Sequence, residues 1–351
     1  SHIWDKWRMV AVVLTLGLGG CGASPSAEQN QAKSTRPDVA VTSNLLCDLT
    51  RQIAQDTVSL NCLMPPELDP HVFQATPSDR KAIEQADLVL YVGYGYEPEL
   101  IRIIQATNTP APKVAVAEQA VPDPILGAAH EHEADHAELD HAEADHAEPD
   151  HAHDDTATTQ GLTPDPHVWQ DPQQGIRLAE VIRDQLKQIA PANAAVYDQN
   201  AEKLTTDLAE INTWMKQQIA TVPATDRKLV TTHDSFRYFA KAYGFEVGGT
   251  IAGLSTDERP SATHLAELVE MVKRENVPAI FAEKTTNPQW METLSKDANV
   301  QVADRPLSVE SPTGEGTDIP DYQAMLTTNT CTIVNALGGK CAIETAPGST
   351  P

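Results

Sequence analysis

The chain alternates short apolar runs with segments of helical periodicity, and the alternation occurs in two separate arrays. Residues 38–117 contain the first array and residues 228–338 the second. Such alternation is typical of βα units built on a mostly parallel sheet. A chain of 351 residues is long enough for two such lobes, each with its own core. We therefore expect an α/β protein with two βα lobes, each around a sheet of about four strands.

Residues 191–222, which lie between the arrays, carry a continuous apolar stripe. The members of the stripe are spaced by three or four residues: Tyr197, Ala201, Leu204, Leu208, Ile211, Met215 and Ile219. This spacing predicts a helix, and about 30 helical residues would span about 45 Å. A helix of that length suits a rigid strut between lobes at residues 37–190 and 223–345. Two shorter helices separated by a bend are the alternative.

The first residues have the layout of an export signal. Basic residues precede an apolar run that ends at Leu18 and is too short to span a bilayer. We interpret residues 1–20 as a signal peptide. The following Cys21 completes a sequence that resembles the processing box of bacterial lipoproteins, so we expect its lipidation; an unrelated cysteine is the alternative. Residues 21–36 are then expected to be a flexible tether.

The charge of the chain argues against two classes of partner. The formal net charge is -25 at pH 7, whereas a nucleic-acid-binding protein needs a basic face. Docking on anionic lipid also needs basic residues. We therefore expect no nucleic acid partner, and contact with a membrane only through a lipid anchor. An acidic balance suits a protein that meets cations.

Residues 119–164, which follow the first array, break the alternation of strands and helices. Residues 130–155 contain eleven Asp or Glu, seven His and no Lys or Arg. The histidines are His130, His132, His136, His141, His146, His151 and His153. The repeat of five residues fits neither a helix nor a strand, so we predict a mobile loop. Histidine-rich tracts bind metal through imidazole nitrogens, which makes this an auxiliary metal-binding segment; a merely solvated acidic insert is the alternative.

The tripeptide Asp-Pro-His occurs twice, at residues 69–71 and 165–167, and His233 follows a predicted strand. Open α/β sheets place ligands in the loops after their strands. Proline stiffens the backbone before each histidine, and each aspartate can orient its loop or support an imidazole. Neutral imidazoles suit zinc, copper and nickel better than calcium or magnesium. We expect His71, His167 and His233 to bind one transition metal, zinc, with an open or carboxylate fourth position.

Four cysteines remain besides the one predicted to carry lipid: Cys47, Cys62, Cys331 and Cys341. An exported protein can keep disulfides, and four cysteines allow three connectivities. We predict the local pairing, Cys47–Cys62 and Cys331–Cys341, with free buried thiols as the alternative.

Several of these segments together resemble one known family. They are DPHVFQATPSDRKAIEQADLVLYVG, DPHVWQDP, YDQNAEKLTTDL, LVTTHDSFRYFAKAYG, RPSATHLAEL and IFAEK. In order and spacing they resemble the metal-binding lipoproteins of ABC importers over nearly the whole chain after its signal. Two features are similar to the zinc-type, ZnuA-like members: the acidic histidine-rich loop, and a histidine at position 233 where manganese-type relatives carry glutamate.

The resemblance implies a fold and a ligand set. The family has two α/β lobes joined by a rigid helix, with the metal held between them by the three histidines. Its fourth ligand is an aspartate in an Asp-Pro-Leu context, whereas this chain reads Asp-Arg-Pro-Leu from residue 304. We expect Asp304 in that role, with water or a nearby carboxylate such as Glu310 as the alternative. Glu283 is expected to be structural or to support a ligand.

The resemblance also implies a function: a monomeric periplasmic protein that captures Zn²⁺ and delivers it to the permease of an ABC transporter, without catalysis. A manganese carrier of the same family is the alternative, although a hard ion favours more carboxylates. A zinc hydrolase is less favoured, because no HExxH motif or nucleophile elbow is present. A protein that only buffers metal through the histidine-rich segment would leave the two lobes unexplained.

Overall fold

The computed structural model of the protein describes residues 36–128, 162–257 and 259–348. The predicted signal peptide, the tether with Cys21 and the seven histidines of the 130–153 segment lie outside these residues. Within the described ranges, no helix combines the length and apolar character that crossing a membrane requires.

The first lobe contains a four-stranded parallel sheet. Its strands are β1 (Asp38–Val41), β2 (Ser59–Cys62), β3 (Leu88–Tyr91) and β4 (Lys113–Ala115). They lie in the order β2-β1-β3-β4, and every pair is parallel. The helices of this lobe are α1 (Asn44–Ala54), α2 (Pro77–Gln85), α3 (Pro98–Ala106) and α4 (Val116–Ala120). Parallel neighbours need crossover connections, and α1 and α3 supply two of them.

A short antiparallel pair follows the first sheet. Strand β5 (Leu126–Ala128) pairs with strand β6 (Leu162–Pro164). These two strands lie at the ends of the segment predicted as a loop over 119–164 and correct that prediction there, while residues 129–161 lie outside the described residues. Strands of three residues are too short for their alternation to be read from the sequence. Strand β6 leads directly into the second Asp-Pro-His tripeptide.

Two long helices come next, α5 (Pro172–Ile189) and α6 (Ala194–Ile219). The prediction of a long linking helix is confirmed: α6 has 26 residues, or about 39 Å at 1.5 Å per residue. Every residue of the predicted stripe is buried. Near its start, the Tyr197 hydroxyl lies 2.8 Å from Thr57 Oγ1, and farther along, Asn212 Oδ1 accepts from Tyr243 at 2.8 Å. The helix thus contacts both lobes.

The second lobe repeats the strand order of the first. Its strands are β7 (Lys228–Thr231), β8 (Glu246–Thr250), β9 (Ala279–Ile280) and β10 (Gln301–Val302). β7 pairs with β8 and β9 with β10, both in parallel, and a parallel bridge between Thr231 and Phe281 joins the two pairs. The helices are α7 (Arg237–Tyr243), α8 (Ala262–Arg274), α9 (Gln289–Ala298) and α10 (Tyr322–Ala336). The order β8-β7-β9-β10 confirms the predicted fold of two βα lobes.

The hydrophobic core is continuous between the lobes. Its largest cluster takes residues from β1, α1, α5, α6, β7, α7 and α10, and the backbone of Tyr322 in α10 donates to Asp48 Oδ2 at 2.9 Å. The boundaries predicted near residues 190 and 223 stay a prediction. Both predicted disulfides are present, Cys47–Cys62 and Cys331–Cys341.

Candidate metal centre

The two Asp-Pro-His tripeptides fold into similar turns. The backbone N–H of His71 donates to Asp69 Oδ1 at 3.0 Å, and that of His167 donates to Asp165 Oδ1 at 2.9 Å. A short 3-10 turn includes or follows each histidine, and proline supplies the restricted φ that such a turn needs. The aspartates therefore fix the backbone of the histidines, as the sequence suggested.

His167 has further support for its side chain. Its Nδ1 lies 2.8 Å from Asp165 Oδ1, and a carboxylate can only accept, so Nδ1 carries the proton. The lone pair of Nε2 is then free to bind a cation. Both side chains are fully buried.

His233 follows strand β7 and is supported by Glu283 from the end of the neighbouring strand. Its backbone N–H donates to Glu283 Oε1 at 3.0 Å, and its Nδ1 donates to Oε2 at 2.5 Å. The parallel bridge between Thr231 and Phe281 sets these two residues side by side. Glu283 thus orients the imidazole with Nε2 facing away from it.

The three histidines converge with one carboxylate. His71, His167, His233 and Glu310 each offer one ligand atom, and all four atoms lie within 4.8 Å of one another. The His167 and His233 Nε2 atoms are 3.1 Å apart, and Glu310 Oε1 lies 3.1 Å from His233 Nε2 and 3.6 Å from His71 Nε2. Tetrahedral zinc with bonds of 2.0–2.1 Å separates its ligand atoms by about 3.3 Å. The geometry therefore fits one small cation.

The carboxylate beside the histidines is Glu310, not Asp304. Asp304 is exposed and lines a different cavity, together with Arg305 and Cys331. After Asp304 the chain runs parallel to the segment that follows strand β9, and Leu307 forms a parallel β-bridge with Glu283. Glu310 follows three residues after Leu307. Its Oε2 accepts from the Tyr96 hydroxyl at 2.9 Å, so a residue of the first lobe holds the carboxylate in place.

The electrostatics of the site favour a cation. Burial would raise the pKa of Glu310, but the neighbouring imidazoles of His233 and His71 hold that pKa well below its usual value. Burial would likewise lower the pKa of His233, but Glu283 and Glu310 outweigh it and hold the pKa well above its usual value. Ionised Glu310 can thus bind a cation, and the cation must displace a proton from His233.

Two polar atoms at the centre make no hydrogen bond. His71 Nε2 and Glu310 Oε1 are buried, and neither has a hydrogen-bond partner in the part of the chain that the structure describes. Buried polar atoms are nearly always paired, since an unpaired one costs free energy. A cation held between them would satisfy both.

Sequence reasoning ranked one residue of this centre too low and missed another. Glu310 was only an alternative, because the local sequence around residue 304 was matched to the family motif. No local signal favoured it, because the alternation of Leu307 and Val309 would place residue 310 on the opposite face, whereas residues 307–311 are all buried. Tyr96 carried no signal, because a tyrosine in a glycine-rich loop is unremarkable until the fold brings it to Glu310.

Comparison with known proteins gives the family. The sequence model of ZnuA, described as zinc-uptake complex component A, periplasmic, matches residues 39–336. The chain belongs to this family. Its members are the metal-binding, solute-binding components of ABC importers, and the family resemblance seen in the sequence is confirmed.

Relatives of the chain carry the names of different metals. The manganese-binding lipoprotein MntA of Bacillus subtilis is 30% identical over 338 residues, which cover 94% of this chain and 98% of that protein. The zinc-binding protein TroA of Treponema pallidum is 29% identical with the same coverage. The solved structure of periplasmic zinc-binding TroA aligns with a TM-score of 0.73 at 28% identity, covering 86% of this chain and 99% of that one. The family therefore establishes a metal-binding protein without choosing the metal.

Proposed function

We propose that this protein captures Zn²⁺ in the periplasm and delivers it to the permease of an ABC importer. The observation that carries the proposal is the convergence of three buried imidazoles and one buried carboxylate on a point between the two lobes. His71, His167, His233 and Glu310 are the proposed ligands. The ion is cargo in this account, so the site has to bind it and later release it.

The donor set supports zinc. Three nitrogens and one oxygen are typical of tetrahedral zinc, whereas manganese favours carboxylates and water in six-coordinate sites. At least two of the imidazoles, His167 and His233, are prepared as Nε2 ligands by carboxylates that accept from Nδ1. Such support orients the ring and makes the ligand nitrogen more basic.

A manganese carrier is the second candidate. It is supported by the manganese-binding lipoproteins among the relatives, at 29% and 30% identity. The buried carboxylate of Glu310 beside the three imidazoles also supports it, because manganese favours carboxylate ligands. One oxygen against three nitrogens still favours the softer ion.

A competition experiment separates the two candidates. Metal-free protein is mixed with equal concentrations of Zn²⁺ and Mn²⁺, each in excess, and desalted; bound metal is then measured by mass spectrometry. A variant that lacks residues 130–153 is treated identically, so that metal held by the histidine-rich segment does not enter the count. About one manganese per chain in this variant supports the second candidate and contradicts the proposal, because the general order of affinity favours zinc over manganese; about one zinc is the result that the proposal requires.

The cellular setting forms part of the same proposal. We propose a periplasmic, monomeric protein held to the membrane by lipid on Cys21, and the relatives named lipoproteins support the anchor. The histidine-rich segment is proposed to bind additional metal more weakly. A Cys21→Ser variant that still partitions with membranes would contradict the anchor.

A further inference from the structure

The β5–β6 pair rests on helix α7 of the second lobe. The backbone N–H of Ile125 donates to the Tyr238 hydroxyl at 2.9 Å, and Arg237 Nη1 donates to the carbonyl of Leu126 at 3.5 Å. Packing is close as well, because a Cβ atom on Gly127 would lie 2.8 Å from Leu254 Cδ1. The β5–β6 pair is therefore held by hydrogen bonds and packing against Arg237, Tyr238 and Leu254, all of which follow His233 in the chain.

The same pair is bonded to the aspartate that supports His167. The carbonyl of Ile125 accepts from the backbone N–H of Asp165 at 2.8 Å. Asp165 Oδ1 in turn accepts from both the backbone N–H and Nδ1 of His167. A continuous series of hydrogen bonds thus runs from Tyr238 through Ile125 and Asp165 to the His167 imidazole.

Ile125 is the step on which this series depends. Its N–H and its C=O belong to one residue, so a displacement of Ile125 at the Tyr238 end also displaces the acceptor of Asp165. Asp165 has little freedom to compensate, since it is fully buried and its Oδ1 already accepts two hydrogen bonds from His167. The position of Asp165 is therefore set from outside its own turn.

Helix α7 holds the Tyr238 end of this hydrogen-bond series in a fixed position. Tyr238 is buried, and its neighbour Phe239 packs against Tyr243 and Phe245 with tilted rings whose centroids are 4.9 and 5.2 Å away. Arg237 pairs with Asp234 at 2.5 Å, immediately after His233. Burial raises the pKa of Tyr238 to about 12, so its hydroxyl keeps its proton at physiological pH.

We propose that Tyr238 is a positioning residue for His167, acting through the backbone of Ile125 and the side chain of Asp165. The helix that begins just after one ligand loop, that of His233, thereby sets the orientation of a second ligand. The inference rests on the proposed function only in taking His167 as a metal ligand.

The test compares two tyrosines of the same helix in the full chain. Tyr238→Phe removes only the hydroxyl that accepts from Ile125. Tyr243→Phe is the matched control, since its hydroxyl donates to Asn212 Oδ1 at 2.8 Å and has no bond to this series. Zn²⁺ dissociation is followed after mixing with excess chelator. The imidazole ¹⁵N shifts of His167 and His71 are recorded in metal-free protein with labelled histidine.

We expect Tyr238→Phe to speed dissociation of the tightly bound zinc by about 10-fold, at the lower end of the effect of losing a residue that supports a ligand. The His167 resonances should shift and those of His71 should not, while Tyr243→Phe should change neither quantity. A rate in Tyr238→Phe equal to that of the parent protein would overturn the proposal. Equal acceleration in both variants would also overturn it, because the effect would then be general loosening. Absence of tight zinc binding in the parent protein would instead count against the proposed function.

Discussion

The Nε2 atoms of His167 and His233 face each other at 3.1 Å, although the two residues are 66 positions apart in the chain. Each ring donates its Nδ1 proton to a carboxylate, Asp165 in one case and Glu283 in the other. Two neutral rings would bring two lone pairs together at this distance, which is repulsive. One proton or one cation must therefore lie between them.

This relationship predicts proton release when metal binds. The pKa of His233 is raised well above its usual value, which favours a second proton on this ring in the metal-free protein, and a metal bound at Nε2 must displace that proton. We expect about one proton released per zinc, and an apparent affinity that falls about tenfold for each unit of acidification below that pKa. Calorimetry in buffers of different ionisation enthalpy measures the number of protons released per zinc bound. A binding enthalpy independent of the buffer at pH 7 would contradict the prediction.

The fourth ligand gives a second prediction. Glu310→Gln keeps the size of the side chain but removes its charge, and we expect a loss of zinc affinity of at least about tenfold. Asp304→Asn is the matched control, because Asp304 is exposed and lies outside the group. Competition with a chromophoric chelator measures both affinities. Loss of affinity in the Asp304 variant alone would show that the fourth ligand is misassigned.

These two carboxylates show where sequence reasoning succeeded and where it stopped. The order of strands and helices, the long helix and the three histidines could be predicted, because apolar periodicity and repeated motifs are local signals. Glu310 could not be ranked above Asp304, because the choice depends on the parallel bridge between Glu283 and Leu307. That pairing joins residues that are distant in sequence and leaves no local pattern. The short strand β5, which begins just after Ile125, could not be predicted either, because it is defined by its pairing with the distant strand β6.

A third prediction concerns a hydrogen bond between the lobes. Asp69 Oδ1 accepts from the His71 backbone, while its Oδ2 accepts from the hydroxyl of Thr256, which follows strand β8. The equivalent Asp165 instead uses one oxygen for both the backbone and the ring of its histidine. We expect Thr256→Val to speed metal release, since one hydrogen bond contributes about 1 kcal/mol. Thr256→Ser, which retains the hydroxyl, should restore the parent rate in stopped-flow chelation, and failure of serine to do so would refute this role.

A fourth prediction concerns stability and pH. Burial raises the pKa of Glu97 to about 7 from its usual 4.5, even though Thr42 and the backbone of Val92 donate to it. The folded protein therefore binds more protons than the unfolded chain between these values. The stability that protonated Glu97 contributes is therefore fully present below pH 4.5 and is lost as the pH rises through about 7. The full change is about 3 kcal/mol.

Glu97→Gln tests this titration, because glutamine keeps an acceptor for Thr42 and Val92 but has no charge to bury. We expect its free energy of unfolding, measured in urea on metal-free protein, to fall less than that of the parent between pH 5 and pH 8. Burial also raises the pKa of Asp48, to about 6. Because Asp48 is present in both proteins, the difference between their unfolding free energies reports on Glu97 alone. Parallel curves for the two proteins would rule out a titration of Glu97 in this range.

The measurement that tests the central claim most directly is calorimetric titration of metal-free protein with Zn²⁺. Three forms are compared: the full chain, the chain lacking residues 130–153, and His71→Ala. We predict one tight site in the full chain, the same tight site with fewer weak ones after the deletion, and no tight site in His71→Ala. Tight binding that disappears with the deleted segment and persists in His71→Ala would contradict the assignment of zinc to the centre between the lobes.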